Sequence, residues 1–160
     1  MGKAAIYPGS FDPISNGHID LIKRATLVFD RVVVAVARNL HKKPTFDKEE
    51  RLDMAREAVK GIDRVEVFGF EGLVVEYARQ RDIRVLIRGL RMVSDFEYEF
   101  QLALTNRRLA QDVETVFLMP SENFTFLSSS LIKESAALGA DISGFVPPCV
   151  EKHLKQRLQK

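Results

Sequence analysis

The stretch Tyr7-Pro8-Gly9-Ser10-Phe11-Asp12-Pro13-Ile14-Ser15-Asn16-Gly17-His18-Ile19 follows a short apolar run, Lys3 to Tyr7, and leads into a helical pattern over 18–29. A strand that ends in a glycine-containing loop and feeds a helix aims the unpaired N–H groups of the helix's first turn at any anion above the sheet, with the positive end of the helix dipole behind them. Gly17 lets the backbone come close. His18 stands at the helix entrance, where an imidazole can hydrogen-bond a phosphate oxygen more strongly as charge builds on it. The plainer alternative makes His18 a cap or a surface residue, but strand, Pro-Gly-Ser turn and Gly-His pair in register favour a phosphate site. Ser10 leaves the strand at the same edge and reads as a phosphate contact, whereas Phe11 and Asp12-Pro13 read as stiffeners of the loop.

Outward from this stretch, β-branched runs alternate with helical patterns. Strands are expected at 3–7, 31–37, 64–68, 84–88 and 114–119, and helices at 18–29, 48–60, 72–81, 94–109 and 129–138. Such alternation implies a parallel sheet with right-handed crossovers, and Arg31 to Ala37, apolar on both faces, suits an interior strand. The expected fold is α/β, one doubly wound, Rossmann-like, five-stranded parallel sheet forming a single domain over 1–160. Asp47 followed by Glu50 reads as a capping box and Gly61 as the stop of the same helix. Beyond Pro147-Pro148, the residues Val150, Leu154 and Leu158 recur at helical spacing and predict a final amphipathic helix over 149–160.

Composition narrows the function classes. A chain of 160 residues, 46% hydrophobic and 29% charged, can build one sizeable core. Its net charge of +2 is spread along the sequence, so no basic stripe argues for nucleic acid. The longest apolar run, Val32 to Ala37, falls far short of the roughly 20 residues that span a bilayer, and the first residues show no secretory pattern. The lone Cys149 suits a reducing cytoplasm.

In an open parallel sheet, ligands sit beyond the carboxyl ends of the strands, where strand order reverses. The loops leaving that edge carry polar and basic groups: Pro8 to Phe11, Arg38 to Lys43, Arg88-Gly89-Leu90-Arg91, and Pro120 to Ser130. Arg88 and Arg91 flank a glycine at a strand end, and a guanidinium fork is fitted to phosphate. Pairing of the two with Asp95 or Glu99 is the alternative. Asp95, Glu99, Leu102 and Asn106 share one face of the next helix and could border the cleft, or be solvated. In His41-Lys42-Lys43-Pro44, one lysine is expected to reach an anionic substrate. Phe124-Thr125-Phe126-Leu127-Ser128-Ser129-Ser130 precedes a helix containing Lys133, a second helix start ready for an anion, although three serines could simply be caps. Two such starts on one edge fit a polyphosphate better than a single phosphate.

Together YPGSFDPISNGHIDLI, KKP, VLIRGLR, DFEYEFQLALTNR, VFLMPS and FLSSSLIKE, in this order and spacing over nearly the whole chain, resemble the bacterial phosphopantetheine adenylyltransferases, nucleotidyltransferases with a T/HxGH motif. The resemblance implies transfer of an adenylyl group from ATP to 4'-phosphopantetheine, giving dephospho-coenzyme A and pyrophosphate in coenzyme A biosynthesis. It further implies a cytoplasmic homohexamer, Mg²⁺ as cofactor and coenzyme A as a feedback inhibitor. By position, His18, Lys42 and Arg91 would be catalytic. Ser10, Phe11, His18, Gly89, Leu90, Arg91, Glu99 and the run Phe124, Thr125, Phe126, Leu127, Ser128, Ser129, Ser130 would line the ATP site. Ser10, Lys42 and Arg88 would hold the phosphate of phosphopantetheine, with Val74, Leu102, Asn106 and Glu134 along its arm.

The sequence departs from the pattern at Ser10, commonly Thr, at Ser15 in the T of TxGH, and at Lys133, where an ISSTxxR signature ends in Arg; each keeps its hydroxyl or charge. Gly72 and Val74 lie where relatives differ. No residue need become a covalent nucleophile, since the acceptor's own phosphate can attack in line and leave positioning and charge stabilisation to the enzyme. A nicotinate mononucleotide adenylyltransferase or a cytidylyltransferase shares the first motif, but Lys42 with Ile87 to Arg91 argues against both. A class I aminoacyl-tRNA synthetase shares the Gly-His turn and needs a longer chain. A module that binds ATP without reacting is the reading from another class.

Overall fold

The computed structural model describes residues 2–38 and 42–159. In chain order these form β1 (Ala4–Gly9), α1 (Asn16–Val28), β2 (Arg31–Ala37), α2 (Lys48–Ala58), β3 (Val65–Phe70), α3 (Val74–Gln80), β4 (Val85–Gly89), α4 (Val93–Leu109), β5 (Glu114–Leu118), a 3₁₀ turn (Glu122–Phe124), α5 (Ser129–Ala137) and α6 (Pro148–Leu158). The five strands are parallel in the order β3-β2-β1-β4-β5. The expected α/β sheet with a C-terminal helix is therefore present. Strand order reverses between β1 and β4, and it is there that the crevice of such a sheet opens.

Strand residues alternate between two cores, as the two-residue period demands. Ala5, Tyr7, Val32, Val34, Val36 and Ile87 face one core with Leu21, Ile22 and Ala25 of α1, Leu52, Met54 and Ala55 of α2, Ile132 of α5 and Leu154 of α6. Ile6, Val33, Ala35 and Leu86 face the other, with Val75, Tyr77 and Ala78 of α3 and with Ala110 just beyond α4. On α4 itself only Glu99 and Asn106 are buried. Its Met92-Val93 entry, Phe96, Phe100 and Leu104 remain exposed, with Phe96 and Phe100 stacked on each other.

Element ends differ from expectation by one or two residues, each for a local reason. The first strand continues through Pro8 to Gly9, pairing with β2 as far as Gly9 opposite Val36. A proline is tolerated there because N–H and C=O of one strand residue point to the same side, and the Pro8 carbonyl points toward β4, where it meets the Arg88 side chain at 3.3 Å and not a ladder partner. The first helix begins at Asn16, two residues early, because Ser15 caps it. The second opens on the expected box, with Asp47 accepting from the Glu50 N–H at 2.9 Å and Glu50 accepting from the Asp47 N–H at 2.9 Å. It ends at Ala58, and Gly61 takes the left-handed φ of +86° in the turn beyond. The 3₁₀ turn was not expected from the sequence.

Candidate active site

A cleft of about 310 Å³ opens where β1 and β4 end. Its floor is Tyr7 to Phe11 and Arg88-Gly89, one wall is the start of α1 with Ser15, Gly17, His18 and Leu21, and the far wall is Asp95 and Glu99 of α4 with Arg91 beside them. Pro120, Phe124 and Leu127 to Ser130 complete it from the loop that enters α5.

His18 is held by the helix it helps to start. Ser15 Oγ accepts from the His18 N–H at 3.3 Å, and the Ser15 N–H donates to His18 Nδ1 at 3.0 Å. The imidazole thus takes the place that a Glu or Gln occupies in an ordinary capping box. Because Nδ1 accepts a backbone proton, the neutral ring carries its own proton on Nε2. Burial first, then the charges of Arg91 and Arg88, push the imidazole pKa down to about 4. At neutral pH the ring is therefore an uncharged donor. Gly17 beside it needs no special backbone angle, and a methyl group there would meet Ser15 Oγ at 3.5 Å and Phe124 at 3.7 Å, which is ordinary contact. The protein does not exclude a side chain at position 17; what a methyl would occupy is cleft.

Both arginines line the cleft, and both are also paired, so the two alternatives considered for them coexist. Arg88 donates twice to Glu99, at 2.8 and 2.7 Å, and once to the Pro8 carbonyl. Burial works against its charge, but the Glu99 bonds outweigh that and raise its pKa, so the guanidinium stays charged. Arg91 pairs with Asp95 at 3.2 Å and donates to the Leu127 carbonyl, linking α4 to the α5 entry. Burial raises the Tyr7 phenol far above its usual range, so it stays protonated on the cleft floor.

At the second helix start, Ser128 caps α5 by accepting from the Leu131 N–H at 3.1 Å. Ser129 Oγ donates to Pro13 O at 2.9 Å, binding this loop to the first. The cap and the anion-ready start are one structure, because capping satisfies one amide and leaves others directed outward. Lys133 does not enter the cleft; it pairs with Asp12 at 3.1 Å on the outside of the same loop. Above, the Asp20 carboxylate accepts from the Ser121 N–H at 2.8 Å and from its hydroxyl at 2.7 Å, anchoring the segment that follows Pro120 to α1.

Of the residues singled out from sequence, Ser10, Phe11, Ser15, Gly17, His18, Arg88, Gly89, Arg91, Asp95, Glu99, Phe124, Leu127, Ser128, Ser129 and Ser130 line the cleft, as do Pro8, Gly9 and Pro120 of the loops expected at that edge. The rest lie elsewhere. Lys42 is exposed on the connection after β2, and His41 lies outside the described residues. Leu90 extends the β4–β5 pairing through its N–H to Leu118 O, Thr125 bonds Glu122 O, and Phe126 packs edge-on against Phe145. Val74 heads α3 against the second core, Asn106 is buried in α4, Leu102 is half-buried and Glu134 is exposed on α5. Sequence reasoning passed over Tyr7 and Leu21 as cleft walls. The place of Tyr7 at the end of the apolar run that opens onto this edge was the signal that could have found it.

Comparison with known proteins agrees with this geometry. The cytidylyltransferase-like family model matches residues 6–135. Phosphopantetheine adenylyltransferases of Desulfosudis oleivorans (53% identical over 98% of this chain and 93% of the relative) and Thioalkalivibrio sulfidiphilus (54% over 99% of each) align almost end to end. That of Nitrosomonas eutropha is 55% identical over 95% of this chain and 93% of the relative. A solved Vibrio parahaemolyticus structure described as a nicotinate-nucleotide adenylyltransferase superposes with a TM-score of 0.70 at 21% identity, covering 98% of this chain and 93% of its own, and speaks for the fold alone. With a full-length match of this strength and a phosphate-ready cleft at the strand switch, the chain belongs to the cytidylyltransferase-like nucleotidyltransferases and, among them, to the phosphopantetheine adenylyltransferase family.

Proposed function

We propose that this enzyme transfers the adenylyl group of ATP to 4'-phosphopantetheine, releasing pyrophosphate and dephospho-coenzyme A. The observation that carries the reading is the convergence of His18, Arg88, Arg91 and two helix starts on one cleft, in a chain more than half identical to enzymes of that name. The acceptor phosphate attacks the α-phosphorus in line. Ser10, Lys42 and Arg88 hold it, Lys42 reaching in from the exposed connection after β2. The Nε2–H of neutral His18 donates to a non-bridging α-oxygen, and its bond is strongest when the phosphorus is five-coordinate. Arg91 and the amides at the start of α5 receive the charge of the leaving pyrophosphate. For Arg88 and Arg91 to do this, incoming phosphates take the places now held by Glu99 and Asp95.

Magnesium belongs with the nucleotide in this reading. Among the described residues no three His, Cys, Asp or Glu side chains gather as a metal cage, and the two acids of the cleft are each engaged by an arginine. The residues do not fit a protein-held ion, so Mg²⁺ enters as part of MgATP and not as a resident cofactor.

A homohexamer is the assembly proposed, supported by the exposed apolar face of α4. Coenzyme A, which shares the pantetheine arm and adenylyl group of the product, is proposed to inhibit at the same cleft, and the cytoplasm is the proposed compartment. Purified enzyme with MgATP is expected to release pyrophosphate on addition of 4'-phosphopantetheine and not of nicotinate mononucleotide. Release with the mononucleotide alone would transfer the assignment to that acceptor. ATP binding with no release from either would make the chain a sensor.

A further inference from the structure

Arg51 of α2 is 1% exposed, the largest side chain so fully enclosed among the described residues, and none of its hydrogen-bond partners among them is a carboxylate. Asp12 and Asp47 influence it by charge and not by contact. An enclosed guanidinium is costly, and an apolar side chain of its size would fill the space. Its contacts account for it. Nη1 donates to Ser10 O at 2.7 Å and to Ala37 O at 2.6 Å, and Nε donates to Phe46 O at 3.1 Å. Ser10 is the first residue after β1, Ala37 ends β2, and Phe46 closes the connection from β2 to α2. One planar fork therefore ties the Ser10 loop to both roots of the segment that carries Lys42.

A second enclosed charge completes the tie. Asp12, 8% exposed, accepts from the Thr45 N–H at 2.9 Å and the Phe46 N–H at 3.0 Å and pairs with Lys133 of α5. Phe46 is thus gripped through its N–H by Asp12 and through its C=O by Arg51, while its ring is buried.

We propose that Arg51 is a positioning residue for the acceptor subsite, setting the separation between Ser10 and the Lys42 segment, with Asp12 as its counterpart at the Phe46 N–H. The inference rests on the reading above that Ser10 and Lys42 hold the acceptor's phosphate. Arg51→Lys keeps the charge but replaces a rigid fork with a single ammonium, which cannot reach three divergent carbonyls in one plane. Arg51→Met removes the donors altogether.

The experiment is steady-state kinetics of the full chain with each substrate varied, for Arg51→Lys, Arg51→Met, Lys42→Ala and, as a control of stability alone, Leu154→Ala in the core beneath α6. The KM for 4'-phosphopantetheine is expected to rise about tenfold in Arg51→Lys and further in Arg51→Met, well inside the roughly 10²-fold that a 1 Å misplacement can cost. The KM for ATP should stay within about twofold, and Leu154→Ala should lower the melting temperature while moving neither KM. If Arg51→Met does not fold, Arg51→Lys carries the test. Should Lys42→Ala raise the acceptor KM while folded Arg51 variants leave it unchanged, or raise both KM values equally, the positioning role is overturned. Should Lys42→Ala itself leave the acceptor KM unchanged, the subsite reading falls and takes this inference with it.

Discussion

The Ser15 amide that donates to His18 Nδ1 decides which end of the imidazole carries the proton, and so whether the ring faces a phosphate as donor or acceptor. Because the bond depends on the extended backbone of Ser15, it could not be read from the letters Ser-Asn-Gly-His, although the presence of a histidine at this helix start could. A ring titrating near 4 in place of its ordinary 6.5 remains a neutral donor throughout the physiological range. Its imidazole resonance in NMR should titrate with a midpoint of about 4, and a midpoint near 6.5 would contradict the geometry. Between pH 6.5 and 4 the unfolded chain takes up a proton that the folded chain refuses, so His18 lowers stability progressively on acidification through that window. His18→Gln, which keeps a capping side chain, should flatten that part of the pH–stability curve. His18→Ala should cut kcat by about 10²- to 10³-fold, the range for one lost transition-state donor, with a smaller effect on ATP binding. Gly17→Ala tests the neighbouring claim: it should fold with stability equal to or slightly above wild type, since alanine favours a helix over glycine by about 1 kcal/mol, yet lose kcat/KM because its methyl occupies the cleft. Arg51, by contrast, left no mark in the sequence. In Lys-Glu-Glu-Arg-Leu-Asp it looks like any solvated helix residue, and only the fold places three carbonyls around it.

At the scale of elements, patterns of two and of 3.6 residues located five strands and six helices, and what they missed lay at ends. The first strand runs past its expected end through Pro8, whose carbonyl meets the Arg88 side chain on the adjacent strand in place of a ladder partner. The Asp47–Glu50 box was legible because both partners are side chains at a fixed spacing. The 3₁₀ turn at Glu122–Phe124 was not, because one turn carries no periodicity. The box also gives a clean stability test. Asp47→Ala should cost about 1 kcal/mol, a fall of about 2–4 °C in melting temperature, by calorimetry. Substrate KM values should hold, since neither Asp47 nor Glu50 is among the residues that line the cleft.

At the scale of the whole molecule, parallel topology was legible because β–α alternation permits little else, and the switch between β1 and β4 placed the cleft where the loops with most polar groups leave the sheet. Most of the cleft's residues were named from sequence because they sit on those loops or on the helices the loops feed; Leu21 was not, because it lies on a helix face that reads only as core. The α4 face carrying exposed Phe96 and Phe100 is where the proposed assembly would form. By light scattering the protein is expected at six times its 18.2 kDa chain mass, and Phe96→Asp with Phe100→Asp should reduce that mass without unfolding the chain. A monomeric wild type would dismiss the hexamer.

The Arg88–Glu99 and Arg91–Asp95 pairs have a kinetic corollary. With each guanidinium already matched by an internal anion, the cleft projects little field into solvent, and ligand entry becomes an exchange of one anion for another. Association of ATP should accordingly be slower than encounter with an unmatched basic cleft and only weakly dependent on ionic strength, and neutralising Asp95 to Asn should restore both speed and salt sensitivity.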